Sequence, residues 1–190
     1  YFTKENVDKE QGIIGQEIRM TNDNPEWRVF FNMLRGMYHS HPIQIDIAGT
    51  EESIAQIDAD LLYKCYDTFY NLNNMTLSIA GNINADEVLA ICDEMLRPCE
   101  DKGLETVFPE EPDTIVEADI REKQSVGASI FQLGYKCLPC SEDFLRKELT
   151  ASLAVSYLTD ASSEMYNRLL TEGIINASFG GEVFAGDGYF

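Results

Sequence analysis

The chain has 190 residues, 33 of them acidic and 14 basic, for a formal charge of −19. Such a charge repels phosphate backbones and anionic lipid, which argues against nucleic acid or a membrane surface as a partner. The 44% of hydrophobic residues can bury the core of one large domain or two modest ones. No apolar run approaches the roughly 20 residues of a membrane span, and residues 1–10 lack a signal-peptide core, so a soluble chain is expected. Cysteines 65, 92, 99, 137 and 140, odd in number and scattered, suit a reducing cytoplasm better than a disulfide framework.

Residues 10–20 have the pattern of a helix, and Asn24 before Pro25 caps a second one through about Tyr38. His39-Ser40-His41-Pro42 ends it, and histidine suits a helix C-terminus, so His39 and His41 are read as a turn and not as metal ligands. An extended stretch follows over 43–47, then a helical turn headed by Thr50, Glu51 and Glu52. Asp58 caps a helix whose Leu61, Leu62, Cys65, Phe69 and Tyr70 recur at three- and four-residue spacings, an apolar stripe expected to lie on a sheet. After a break at 71–74, residues 75–80 read as a strand and Gly81 as a turn. Asn84 with Glu87 forms a capping box opening a helix that ends near Leu96.

Proline, glutamate and aspartate then dominate, and residues 98–114 are read as an exposed, protease-sensitive linker between a unit over 1–97 and another over 115–190. In the second unit, 115–120 and 126–135 have strand character, and Ser141 with Glu142 and Asp143 begins a long helix ending near Asp160. A short helix over 162–172 is stopped by Gly173, and 177–190 is extended. This alternation predicts an α+β roll. It contains no phosphate loop, nucleophile elbow or repeat. Cys137 and Cys140 have the spacing of a redox or zinc pair but lack the flanking context of either.

The segment from Glu10 to Ile18 carries the most information. At about 100° per residue, Glu17 lies within roughly 20° of Glu10 two turns away, with Ile13 and Ile14 flanking that direction and the glycines opposite. Glu17 is therefore expected on the apolar stripe. A carboxylate buried there needs an arginine, a hydrogen-bond network or a metal, and the wheel does not choose among them.

Glutamate, six residues, then glutamate and isoleucine, in Glu10-Gln11-Gly12-Ile13-Ile14-Gly15-Gln16-Glu17-Ile18, resembles the downstream glutamate helix of the insulinase, pitrilysin and mitochondrial processing peptidase family of inverted-motif zinc peptidases. The resemblance continues through Tyr38-His39-Ser40-His41-Pro42, Ala48-Gly49-Thr50-Glu51-Glu52 and Ala80-Gly81-Asn82-Ile83-Asn84-Ala85-Asp86-Glu87-Val88. It extends more loosely to Gly134-Tyr135-Lys136 and Ser162-Ser163-Glu164-Met165-Tyr166-Asn167-Arg168-Leu169, and is nearest to bacterial two-domain members. It implies a metallopeptidase-type α/β roll, an antiparallel-rich sheet covered by helices. Residues 1–97 would be the back half of a catalytic-type domain, and 115–190 the front half of a second, homologous one.

The family holds zinc with two histidines of a His-x-x-Glu-His helix and a later glutamate. By resemblance Glu17 matches that ligand, and Glu10 matches an acidic residue that orients the site. This chain has no His-x-x-Glu-His segment, so the resemblance implies a fragment of a zinc metalloendopeptidase, inactive by itself and with no catalytic zinc of its own. Where active relatives often place an arginine and a tyrosine near the scissile peptide, the aligned positions read Leu170 and Asn176. That departure motivates the alternative, a non-catalytic peptide-binding or scaffolding subunit. The expected partners are a peptide substrate and either a second copy or a homologous domain.

Overall fold

A computed structural model describes residues 1–137 and 142–190. These form two compact units, one of residues 1–24 and 47–107, the other of 25–46 and 108–190.

In the first unit, α1 (Lys4–Asn22) begins two turns before the expected start, because the Thr3 hydroxyl caps it by accepting from the Asn6 amide. Its buried face is Val7, Gly15 and Ile18, with Gln11 half-buried between them. Gln11 Nε2 donates to the carbonyls of Ile54 (2.9 Å) and Ile57 (2.7 Å), fastening α1 to the end of α3 (Glu51–Ile54). Arg19 pairs with Glu51 across the same contact. Although α3 is a single turn, Thr50 and Ser53 cap one another's amides, and Ile54 is buried. Thr50→Ala is expected to cost this unit about 1 kcal/mol, read as a lower urea midpoint with an unchanged slope.

The Asp58 carboxylate caps α4 (Ala59–Phe69), and the Asn84 side chain caps α5 (Ala85–Met95). Neither helix has a buried residue. The expected stripe on α4 therefore lies on no sheet: Leu61, Cys65, Phe69 and Tyr70 are exposed and Leu62 is half-buried.

In the second unit, α2 (Pro25–Met37) opens on proline, which supplies the φ of a first helical turn. It buries Phe31, Leu34 and the following Tyr38 against Trp27, Phe30, Met37, Ile43 and Tyr189. The predicted extended stretch at 43–47 begins instead as a 3-10 turn, Pro42–Gln44. After α2 the chain returns at 115–120, where the amides of Val116 and Glu117 both donate to the Gly36 carbonyl at 2.8 and 3.0 Å. A Cβ on Gly36 would stand 2.8 Å from the Glu117 carbonyl oxygen and 3.1 Å from Ile120 Cδ1. Gly36→Ala, which by helix propensity alone would gain about 1 kcal/mol, is expected to destabilise. Faster amide exchange at Val116 and Glu117 would report it. Two helices follow, α6 (Phe144–Thr159) and α7 (Glu164–Thr171), the latter capped by the Ser163 hydroxyl. Ser141, the predicted start of α6, and Cys140 lie outside the described residues.

The antiparallel-rich sheet of the expected α+β roll is not present among the described residues. Among the described residues there are α-helices, two 3-10 turns and one isolated bridge, Gly186 to Tyr189, but no strand. A β-strand is stable only against a partner that takes its amides and carbonyls. The segments with strand composition find none: Met75, Leu77 and Ile79 are exposed, and in 115–120 the amides of Val116 and Glu117 go to a helix terminus.

Candidate functional site

The structure separates the two glutamates. Glu10 lines an open apolar cleft of about 220 Å³ with Phe2, Val7, Ile14, Ile54 and Leu62. Glu17 lies two turns on, exposed, outside that lining. Among the described residues neither carboxylate enters an ion pair, and Arg19, the nearest arginine in sequence, is engaged by Glu51. The expectation that Glu17 shares the buried stripe is thus overturned. The wheel counted isoleucines, but Ile13 and Ile14 are exposed while Gly15 packs inward, which turns the buried face away from Glu17. An exposed carboxylate stays hydrated and needs no compensating partner.

His41 is buried with both ring nitrogens in use. Nδ1 accepts from the Ile43 amide, which fixes the proton on Nε2, and Nε2 donates to the Asp187 carbonyl at 2.9 Å. Phe108 stacks on the ring at 5.1 Å and Tyr189 meets it edge-on. No lone pair remains for a metal. His39 is exposed, with Nε2 against the Thr114 hydroxyl at 3.3 Å.

The strongest electrostatic cluster surrounds Glu111, which lies within the stretch 98–114 expected to be an exposed linker. Its Oε1 accepts from the His39 amide (2.8 Å) and Lys136 Nζ (2.5 Å), and Oε2 accepts from the amides of Ser40 (2.7 Å) and His41 (2.8 Å). Lys136 also donates to the carbonyls of Met37, Pro112 and Thr114, and lies 4.8 Å over the Tyr38 ring. Both side chains are buried, at 8% and 7% exposure. Burial opposes ionisation of Glu111, but Lys136 and the three amides outweigh it and hold the carboxyl at about 2. Burial, then the Glu111 charge, raises the Tyr38 phenol above its usual value. Nothing local in the sequence marks Glu111 among its acidic neighbours, and its partner lies 25 positions away.

Glu122 makes a second tie to α2. Asn32, Arg28 and Gln124 bond its carboxylate, Arg28 in bidentate fashion at 3.0–3.3 Å, and hold it at about 2. Leu170 lies on α7, partly exposed, and Asn176 Oδ1 accepts from the Ser178 amide and hydroxyl in a local turn. Cys65, Cys92, Cys99 and Cys137 are free thiols.

Among the described residues no three His, Cys, Asp or Glu side chains converge. The donors among the described residues therefore do not by themselves fit a four-coordinate zinc centre. No helix among the described residues is long and apolar enough to cross a membrane.

Residues 56–190 match the family described as Peptidase M16 inactive domain. The chain is 37% identical to Bacillus subtilis YmfH over 94% of its own length and 43% of that protein's. It is 29% identical to B. subtilis YmxG over 72% of its own length and 33% of that protein's. Both relatives are described as uncharacterized zinc proteases. A crystal structure of an M16-like peptidase from Alicyclobacillus acidocaldarius superimposes with a TM-score of 0.80 at 32% identity, covering 100% of this chain and 46% of that one. The chain thus spans less than half the length of these relatives.

Proposed function

The chain belongs to the M16 peptidase family, and from that premise we propose that it is part of a zinc-dependent endopeptidase in which Glu17 supplies a carboxylate to the metal. The reading is carried by the position of Glu17, seven residues after Glu10 on the helix whose sequence resembles the family's glutamate helix, and not by its exposure, which by itself calls for no metal. The histidine donors and the general base would come from a His-x-x-Glu-His segment outside this chain. Glu10, at the rim of the apolar cleft, would orient the site. On this reading residues 1–97 are the back half of a catalytic-type domain, 98–114 a linker, and 115–190 the front half of a homologous one. The substrates are peptides, the pairing partner is a homologous domain or a second copy, and free thiols support a cytoplasmic setting. Zinc content of a protein bearing that upstream segment, measured with and without Glu17→Gln, tests the assignment; equal occupancy refutes it.

One observation favours a second reading. The matched family is that of an inactive domain, and the resemblance places Leu170 and Asn176 where active relatives often carry an arginine and a tyrosine. A non-catalytic subunit that binds peptides or scaffolds a partner accounts for both. Undetectable peptide cleavage despite full zinc occupancy would support it.

A further inference from the structure

Residues 108–122 open the second segment of the second unit. They contain no helix, and among the described residues no backbone hydrogen bond joins one of them to another. All but Glu111 are exposed. Neither secondary structure nor a buried face fixes this stretch, so its place depends on the groups that tie it to the rest of the unit.

Those ties fall in register. Phe108 stacks on His41, and Glu111 accepts from the amides of His39, Ser40 and His41. Val116 and Glu117 donate to the carbonyl of Gly36, and Glu122 accepts from Asn32 and Arg28. As the stretch advances, its partners step back along the turn at 39–41 and then along α2. From Gly36 to Arg28 the helix covers about 12 Å. The chain from Glu117 to Glu122 reaches at most about 17 Å, so it follows the helix with little slack. Each end is closed by a paired carboxylate: Glu111 meets Lys136 at 2.5 Å, and Arg28 grips Glu122 in bidentate fashion at 3.0–3.3 Å. Between them lie the two amides on Gly36 and the Ile120 side chain beside the same glycine.

We propose that residues 108–122 are a strap, latched by Glu111 at one end and Glu122 at the other, which lifts from α2 and the turn after it as one piece. A strap without internal hydrogen bonds has little to hold its middle once a latch is open. What it uncovers is mostly polar: the amides at 39–41, the Gly36 carbonyl and the Arg28 guanidinium, all of which water can take over. Release is therefore reversible and bares no large apolar face. The linker assigned above to 98–114 then shortens to 98–107, all of it exposed. The strap involves neither Glu17 nor a metal, so loss of the zinc assignment leaves it standing.

Amide exchange in the 190-residue chain tests it. Glu122→Gln is expected to speed exchange about fivefold at Val116 and Glu117, and equally at His39, Ser40 and His41 beyond the far latch. Glu111→Gln should in turn speed exchange at Val116 and Glu117 by the same factor as at 39–41. Thermolysin, which cuts before bulky apolar residues, should cut the parent first at Leu104 and Val107. Its cuts at Ile115, Val116 and Ile120 should come about fivefold faster in Glu122→Gln, with the first cuts unchanged. Arg28→Gln opens the same latch from the helix side and is expected to repeat the pattern, with far-UV dichroism checking that α2 persists. A response to Glu122→Gln and Arg28→Gln that is absent, or confined to Val116 and Glu117, would overturn the strap, as would cuts at Ile115 and Val116 in the parent as fast as those at Leu104 and Val107.

Discussion

Replacing Glu111 by glutamine is expected to speed amide exchange at His39, Ser40 and His41 by about a hundredfold or more, the consequence of losing roughly 3 kcal/mol of local stability. The substitution is isosteric, yet no rotamer rescues it. Both carboxylate oxygens face only donors, Oε1 the His39 amide and Lys136, Oε2 the amides of Ser40 and His41. Whichever position the glutamine NH₂ takes, it confronts two N–H groups. Lys136→Met should be milder, because the carboxylate would keep its three amides. Equal effects of the two substitutions would show that the ammonium, not the amide nest, holds the segment.

The same cluster sets an acid limit. Glu111 and Glu122 are both held at about 2, below their usual 4.5, so the folded state binds fewer protons than the unfolded state between these values. Their contribution is complete above pH 4.5 and disappears as pH falls from there toward 2. Exchange at residues 39–41, corrected for the intrinsic rate, should therefore be flat from pH 7 to 5 and rise below 4.5. In Glu111→Gln that rise should be largely absent.

The helices were legible because their signals are local. Thr50, Asp58 and Asn84 accept from amides within three residues and Pro25 fixes its own φ, and each opens an element near its expected place. The sheet was misread because strand composition records only a readiness to pair, and pairing depends on residues far away in sequence. Residues 115–120 have that composition and nevertheless dock on the carbonyl of Gly36. The face of α1 was misread for a different reason: a glycine has no side chain to count on a wheel, yet Gly15 is buried and sets the orientation. The family was legible because motif spacing does not depend on which face is buried. Glu111 was not, since its environment comes from Lys136 and the turn at 39–41, neither of which is close in sequence.

Glu17→Gln, made where this sequence follows an intact His-x-x-Glu-His segment, is expected to bring bound zinc below one equivalent and to reduce peptide cleavage more than Glu10→Gln does. A neutral amide is a poor replacement for a carboxylate donor, whereas loss of a group that only orients a site costs about ten- to a hundredfold. The exposure of Glu17 makes the experiment clean. Because the side chain lies in water and no ion pair holds it, its replacement should change folding stability by less than about 0.5 kcal/mol. Lost metal with an unchanged melting temperature of the metal-free protein would then report on coordination alone. A buried Glu17 would have confounded the two. If zinc and turnover match the parent's, the carboxylate is an ordinary hydrated surface group, and peptide binding without cleavage becomes the better account of this chain.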